Sequence, residues 1–380
     1  MNKPKGLRAL KKAIKTYPED FRVEEVLELP ITKEGDYSYY LLEKRNINTL
    51  LAIDLIQKYW KVSRDRIGFC GLKDKRAVTK QYISIKNGPE EDLIGPNFSL
   101  RFVGKGKEPL SLGLAKGNLF TVTLRGFPSE KLISALNKVR ELGLANYFGE
   151  QRFSSDLYMK KFLVEYFFRE DYEGALKDYF TQHPGKNRIL AKLWGNWEKF
   201  LKNAGHLSRL EKRVLLTYIK KKDPEKAFRV FPKHLKLLFF FSYQSFLWNL
   251  LLKRLVKKFT PSFCVPFLKR EKLCFWRSQS PFLRELKELA LPYISPEVLD
   301  WNQHEIVKKE VLELIREKNL FPFLEKEAFS LKIFTPGSRK AVVFPEKLSI
   351  VNYDRKTFTL RFFLPSGSYA TVFLLKLINL

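Results

Sequence analysis

The residues best suited to chemistry lie in one short stretch, Gly71-Leu72-Lys73-Asp74-Lys75-Arg76-Ala77-Val78-Thr79-Lys80-Gln81. A single carboxylate, Asp74, sits among Lys73, Lys75 and Arg76. Gly68 and Gly71 break the apolar lead-in, and Tyr82-Ile83-Ser84-Ile85 resumes a strand-like alternation. Neighbouring cations favour the charged form of a carboxylate, so Asp74 is expected to be an anion at neutral pH, better suited to act as a nucleophile than as an acid. The same residue types also fit a charged turn between two strands whose groups merely face water. A metal-dependent hydrolase is disfavoured, because a two-metal centre needs several clustered carboxylates and this loop offers one.

The rest of the composition points to a partner. The chain of 380 residues is 45% hydrophobic, ample for one elaborated domain or two. Its 70 Lys and Arg against 41 Asp and Glu give a formal net charge of +29, which strains a fold by self-repulsion unless a polyanion uses it. With 33 Phe and 16 Tyr available to stack on unpaired bases, nucleic acid is the leading partner. The three cysteines, Cys70, Cys264 and Cys274, form no CxxC pair, and their odd number argues against a disulfide framework. The four histidines are scattered without metal-ligand spacing, so no metal site is expected. Gly104-Lys105-Gly106 lacks the third glycine of a dinucleotide loop, and no Walker-type loop occurs, so no nucleotide cofactor is expected. The basic start lacks a signal peptide's apolar core, and a cytoplasmic protein is expected.

Periodicity supplies the elements that must position Asp74. Strands are expected over residues 20–24, 36–42 and 119–125, and a helix over 50–60 with Asn48 or Thr49 as cap and Leu51, Leu55, Ile56 and Tyr59 on one face. Ser129 should cap a helix ending at Gly143. Asn146-Tyr147-Phe148-Gly149-Glu150-Gln151-Arg152-Phe153 fits either an ordered binding loop or an aromatic hinge between domains. From Ser154 the chain turns helical with little strand pattern, and helices are expected over 157–168, 173–180, 188–204 and 208–221. The apolar run 237–252 carries Ser242, Gln244, Ser245 and Asn249, as a buried core helix rather than a membrane span would. Strands return over 331–334, 337–344 and 357–364, and an apolar helix runs to Leu380. Strands at both ends around a helical middle predict an insertion into one sheet.

Five separated segments, taken together, resemble the TruD family of tRNA pseudouridine synthases. They are the Asp74 loop, residues 15–21, Lys116-Gly117-Asn118-Leu119-Phe120, residues 146–153, and Leu364-Pro365-Ser366-Gly367-Ser368-Tyr369-Ala370-Thr371. Ser242-Tyr243-Gln244-Ser245-Phe246-Leu247-Trp248-Asn249 adds a weaker match, closer to the archaeal and eukaryotic branch than to the enterobacterial one. The resemblance implies an α+β fold, a pseudouridine-synthase catalytic domain with a largely antiparallel sheet (residues 1–153 and 331–380). A mostly helical inserted TRUD domain (residues 154–330) would interrupt it. It implies tRNA as partner, held between the two parts by a monomer, and isomerisation of uridine at position 13 without cofactor, metal or membrane. A non-catalytic RNA-binding protein of the same fold is the alternative.

Residue by residue, the resemblance makes Asp74 the catalytic carboxylate, Lys15 the lysine that pairs with it, and Asn118 an active-site partner. Phe120, Tyr369, Lys73, Arg76, Gln81 and Arg152 would bind substrate. Two departures stand out. Ser154 replaces a frequent glycine, and Tyr369, a Phe in many relatives, adds a hydroxyl. Phe120 stands where most other pseudouridine-synthase families carry tyrosine, so removal of the C5 proton must use another group or water.

Overall fold

A computed structural model describes residues 5–153, 161–182, 187–268, 271–324 and 334–380. The first seven strands are β1 (Phe21–Val26), β2 (Tyr37–Arg45), β3 (Ile67–Phe69), β4 (Val78–Lys86), β5 (Leu93–Gly95), β6 (Phe98–Gly106) and β7 (Gly117–Arg125). Six short ones follow: β8 (Leu144–Ala145), β9 (Ser262–Pro266), β10 (Lys272–Trp276), β11 (Ala290–Pro292), β12 (Ser338–Lys340) and β13 (Val342–Val343). The last two are β14 (Glu346–Tyr353) and β15 (Thr357–Pro365). The central sheet has nine strands drawn from both ends of the chain, in the order β14-β15-β7-β1-β4-β2-β6-β5 with β3 also on β4. Of these neighbours only β1 and β4 run parallel, with Arg22 opposite Val78. Two parallel neighbours bring the segments that enter them side by side. The segment before β1 contains Lys15 and the one before β4 contains Asp74, so this register joins them.

Helix α1 (Leu7–Ile14) buries Leu7, Leu10, Ala13 and Ile14, which anchors the chain just ahead of Lys15. Helix α2 (Thr49–Trp60) is capped by Asn48, whose side-chain oxygen accepts from the Leu51 N–H at 2.7 Å. Its inward face differs from the expected one: Thr49, Ala52, Ile53 and Ile56 are buried, while Leu51 and Tyr59 are exposed. Ile56 is common to both faces; the buried set runs i, i+3, i+4, i+7 and the expected one i, i+4, i+5, i+8, both helical, and the Thr49 hydroxyl, donated to buried Gln81 at 3.0 Å, sets the rotation. Helix α3 (Ser129–Leu142) ends at Gly143, whose φ of +65° favours glycine, but the cap position is Pro128. Ser129 instead donates its hydroxyl to Asp354 O at 2.9 Å.

The middle of the chain forms α4 (Leu163–Phe167), α5 (Tyr172–Thr181), α6 (Asn187–Leu193), α7 (Trp197–Asn203), α8 (Arg209–Lys221), α9 (Pro224–Arg229), α10 (Lys233–Phe259), α11 (Pro281–Glu288), α12 (Glu305–Glu317) and α13 (Phe321–Leu324). Helix α14 (Ala370–Leu377) follows the last strand. The helix expected over 188–204 is broken at Gly195, whose φ of +96° a side chain would disfavour. Helix α10 is long and apolar enough to cross a membrane by length and composition, and 61% of its most apolar window is packed inside the protein. Its polar residues fasten neighbouring backbone. Gln244 donates to Ile294 O and Thr335 O at 2.9 and 2.8 Å, and Asn249 pairs both main-chain groups of Phe148 at 2.8 and 3.0 Å.

The middle is less purely helical than expected. The β9–β10 hairpin and β11, which pairs with β12, lie within it. Their strands are too short for period-two alternation to stand out from the amphipathic background. The expectation on cysteines is also corrected. Cys264 and Cys274 are directly opposite in the hairpin and form a disulfide, and Cys70 is free and buried. An odd count excludes complete pairing, not one pair brought together by a hairpin. Residues 331–333 of the strand expected over 331–334, the first part of the helix expected over 157–168, and Ser154 lie outside the described residues.

Candidate active site

Lys15 closes α1 and is followed by a tight turn, Pro18–Asp20, whose Asp20 carboxylate receives both the Tyr17 N–H at 3.0 Å and a bidentate Arg125 at 2.7–3.1 Å. Fixed on both sides, the Lys15 ammonium lies 3.0 Å from Asp74 Oδ1 and 4.7 Å from the Phe21 ring centre. Gln151 Nε2 donates to the same Oδ1 at 2.8 Å. The other carboxylate oxygen, Oδ2, has no hydrogen-bond partner among the described residues. The Asp74 side chain keeps 23% of its surface exposed, so that oxygen can be reached.

The loop that carries Asp74 is pinned from below. Gly71 O accepts from Gln81 Nε2 at 3.0 Å, and the Lys73 N–H donates to Thr49 Oγ1 at 3.0 Å. The Lys73 ammonium pairs with buried Glu25, whose second oxygen accepts the Tyr82 N–H at 2.9 Å. Asp74 O and, at longer range, Lys73 O accept from buried Lys44 at 2.8 and 3.4 Å. The cationic nest expected from the sequence is therefore rearranged. Of the three flanking cations, Lys73 is taken by Glu25, and Lys75 and Arg76 are exposed. The partner of Asp74 is distant in sequence, as an anchored loop before a parallel strand allows.

Asp74 lines a cavity of about 200 Å³ together with Phe21, Val23, Asn118, Phe120, Gln151 and Tyr369. The antiparallel register β15-β7-β1 sets this wall by aligning Phe362, Phe120 and Val23. The Phe120 ring stacks on Phe362 at 5.3 Å and meets the edge of Phe21 at 6.0 Å, so it is at once core and cavity lining. Asn118 Oδ1 is buried and has no donor among the described residues. Tyr369 packs on Gly149, where a Cβ would come within 2.5 Å of its ring, so this close approach requires glycine. Burial raises the Tyr369 hydroxyl pKa, opposed by Arg152 and Arg339.

Asp74, Lys15, Asn118, Phe120 and Tyr369 thus come together, and the remaining expected residues do not all join them. Gln81 is fully buried beneath the loop, bonded to Thr49 and Gly71. Arg152 donates to Ser245 Oγ at 2.9 Å and lies 5.6 Å from the Phe148 ring centre. Lys73 lines the cavity while its charge is directed to Glu25, and Arg76 points to solvent. Sequence reasoning missed Gln151, although it lies in the 146–153 segment beside Arg152. It also missed Arg339, which donates to Asn146 O, Asn146 Oδ1 and Gly367 O at 2.6–2.8 Å and so ties 146–153 to the loop before Tyr369. Burial holds its pKa down to about 10. In the 146–153 segment Tyr147 and Phe148 are a buried joint to β10 and α10, and Gln151 reaches Asp74. Among the described residues no group of three or more His, Cys, Asp or Glu could hold a metal ion.

The fold is α+β, with a largely antiparallel sheet and a helical middle, and it holds one anchored aspartate in an aromatic-walled cavity. The family model described as tRNA pseudouridine synthase D (TruD) matches residues 7–266. The chain is 38% identical to "tRNA pseudouridine synthase D" of Aquifex aeolicus, covering 96% of this chain and 97% of that one. It is 33% identical to "Probable tRNA pseudouridine synthase D 2" of Methanocaldococcus jannaschii, over 89% and 83%. The crystal structure of the "Putative tRNA pseudouridine synthase D (TruD)" from Methanosarcina mazei superposes with a TM-score of 0.70 at 23% identity, covering 97% of this chain and 93% of that one. This chain belongs to the TruD family.

Proposed function

We propose that this protein is a tRNA pseudouridine synthase that isomerises uridine at position 13 of tRNA, with Asp74 as the reacting carboxylate. The observation that carries the reading is the asymmetry of Asp74: Oδ1 is held by Lys15 and Gln151, and Oδ2 has no hydrogen-bond partner among the described residues in a cavity with aromatic walls. The reaction breaks the N1–C1′ bond, turns the uracil and forms a C5–C1′ bond. A proton leaves C5 and one is gained at N1, with no net redox change. Asp74 can serve by attacking ribose C1′, by attacking uracil C6, or by assisting elimination at C2′. In each role an ionised oxygen free of donors is the competent one.

Flipping the target nucleotide costs a few kcal/mol, and an aromatic face returns roughly 1–3 kcal/mol of it. Phe120 and Tyr369 are the candidate faces. Asn118 lines the same cavity, where its side-chain amide can hydrogen-bond a base. Residues 154–330, read as an inserted domain, would hold the tRNA from the other side through phosphate contacts, consistent with the +29 charge. The test is incubation with unmodified tRNA without added metal, followed by carbodiimide-stopped reverse transcription. A single stop that Asp74→Asn abolishes is expected. Binding without a stop would favour a non-catalytic RNA-binding protein, and strand cleavage would favour a hydrolase.

A further inference from the structure

Lys44 is a buried charge that the reaction just described does not use. It lies near the end of β2, is 1% exposed, and forms no ion pair among the described residues. Lys15 and Lys73 each meet a carboxylate. The Lys44 ammonium meets main-chain carbonyls instead, donating to Ile47 O and Asp74 O at 2.8 Å each and to Lys73 O at 3.4 Å. Burying an ammonium without a counter-ion is costly, and an apolar side chain of similar length would fill the same volume without that penalty. Three N–H donors matched to three carbonyls make the charge tolerable, and two of those carbonyls flank or belong to Asp74.

We propose that Lys44 is a positioning residue for the reaction at Asp74: its protonated side chain ties the main chain of Lys73 and Asp74 to the end of β2 and so fixes where the Asp74 carboxylate points. The proposal rests on the reading of Asp74 as the reacting group. A reacting atom displaced by about 1 Å can lose about a hundredfold in rate, so the main-chain hold matters even though Lys44 never touches substrate. Deprotonation leaves two N–H groups for three carbonyls, and the clamp loosens. Burial pushes the Lys44 pKa down to about 8, Asp74 pulls it back up and Lys73 pushes it further down. These are the charges that face it. Lys15 sits beyond Asp74, Glu25 is taken by Lys73, and its strand partners Thr79 and Phe98 do not titrate.

The test measures single-turnover pseudouridine formation at saturating unmodified tRNA between pH 6 and 9.5, with filter binding and thermal melting alongside. Wild type should lose rate as pH rises through about 8 while staying folded. Lys44→Met should be about ten- to a hundredfold slower at pH 7, with affinity within threefold of wild type and no alkaline fall. Lys376→Met removes another buried lysine, whose ammonium donates to Gly143 O, and should keep its rate per folded molecule. A wild-type rate that stays flat to pH 9.5 overturns the proposal whether or not Lys44→Met folds. So does an equal loss in Lys376→Met, or a Lys44→Met rate within threefold of wild type. Amide hydrogen exchange over residues 71–77 separates this from the functional reading. If wild type makes no pseudouridine at any pH, the proposed function fails, and unchanged exchange in Lys44→Met would still overturn the clamp.

Discussion

Gln151 meets Asp74 at Oδ1, the oxygen that Lys15 already holds, and Oδ2 is left without a donor among the described residues. A neutral amide adds direction without adding charge. Hydrogen bonds to a charged group contribute about 1.5–3 kcal/mol, so Gln151→Leu should slow single-turnover isomerisation roughly ten- to a hundredfold with tRNA affinity nearly unchanged. A rate within twofold of wild type would mean that Lys15 alone orients the carboxylate.

Phe120→Ala should cost both stability and catalysis. The ring is 7% exposed and stacked on Phe362, so truncation should remove about 3–5 kcal/mol of stability. It also lines the cavity, so activity per folded molecule should fall further, while tRNA binding, carried by distant phosphates, should not. Thermal melting with single-turnover rates separates the two. A large melting drop with unchanged rate per folded molecule returns Phe120 to the core alone.

Asp74 and the elements around it are legible in the sequence because they sit on local signals, whereas Lys15, Asn118 and Tyr369 enter through the family resemblance. The Gly71 loop, the alternation of β7 and the apolar run of α10 each read correctly from period and punctuation. Period and punctuation carry no pairing between distant segments, and the Lys15–Asp74 pair follows in the sequence from the family resemblance alone. Lys73, Lys75 and Arg76 are nearest to Asp74 along the chain, yet its cation is Lys15, because only the parallel β1–β4 register brings residues 15 and 74 together. Gln81 looked like a ligand for the same reason in reverse, since its burial under Thr49 depends on how α2 is rotated. Lys44 was invisible because a lysine in a strand reads as an exposed position. The Cys264–Cys274 bond needed the hairpin register, which a count of cysteines does not contain.

Lys44 also predicts a stability effect of opposite sign to its effect on rate. Its folded pKa, about 8, lies below the ordinary 10.5 of the unfolded chain, so between those values the unfolded state binds more protons and stability rises with pH. The full window is worth about 3 kcal/mol. Denaturant melts of wild type and Lys44→Met at pH 7 and pH 10 should show the difference moving in favour of wild type at the higher pH. A constant difference would mean that Lys44 titrates normally.

Salt dependence tests the charge. If about eight phosphates are neutralised, log K should fall with log salt at a slope of roughly −5 to −7, and a slope shallower than about −2 would sink a model of RNA lying across both parts of the chain. The outer face of α8 offers contacts: Arg209, Lys212, Arg213, Lys220 and Lys221 are exposed and unpaired among the described residues, whereas Lys202 and Arg229 are paired with Glu198 and Glu225. Changing Lys212, Arg213 and Lys220 to Gln should flatten the slope by up to about 2 and weaken binding without altering the saturated rate. An unchanged slope would remove α8 from the RNA path.

The decisive substitution is Asp74→Asn. It preserves size and the contacts of Oδ1 with Lys15 and Gln151, but removes the negative charge on which attack at C1′ or C6, or assistance at C2′, depends. Activity should be lost almost completely. Binding should survive and even tighten slightly, because Lys15 and Lys44 are left with less negative charge near them and the local field becomes more positive. Lys15→Met should be less drastic, since Gln151 still directs the carboxylate and Oδ2 stays free. The measurement is single-turnover pseudouridine formation beside filter binding to the same tRNA, with melting to confirm the fold. If Asp74→Asn still makes pseudouridine within tenfold of wild type, or fails only because folding or binding collapses, then Asp74 is a turn residue held by Lys15 for structural reasons and the proposed chemistry belongs elsewhere.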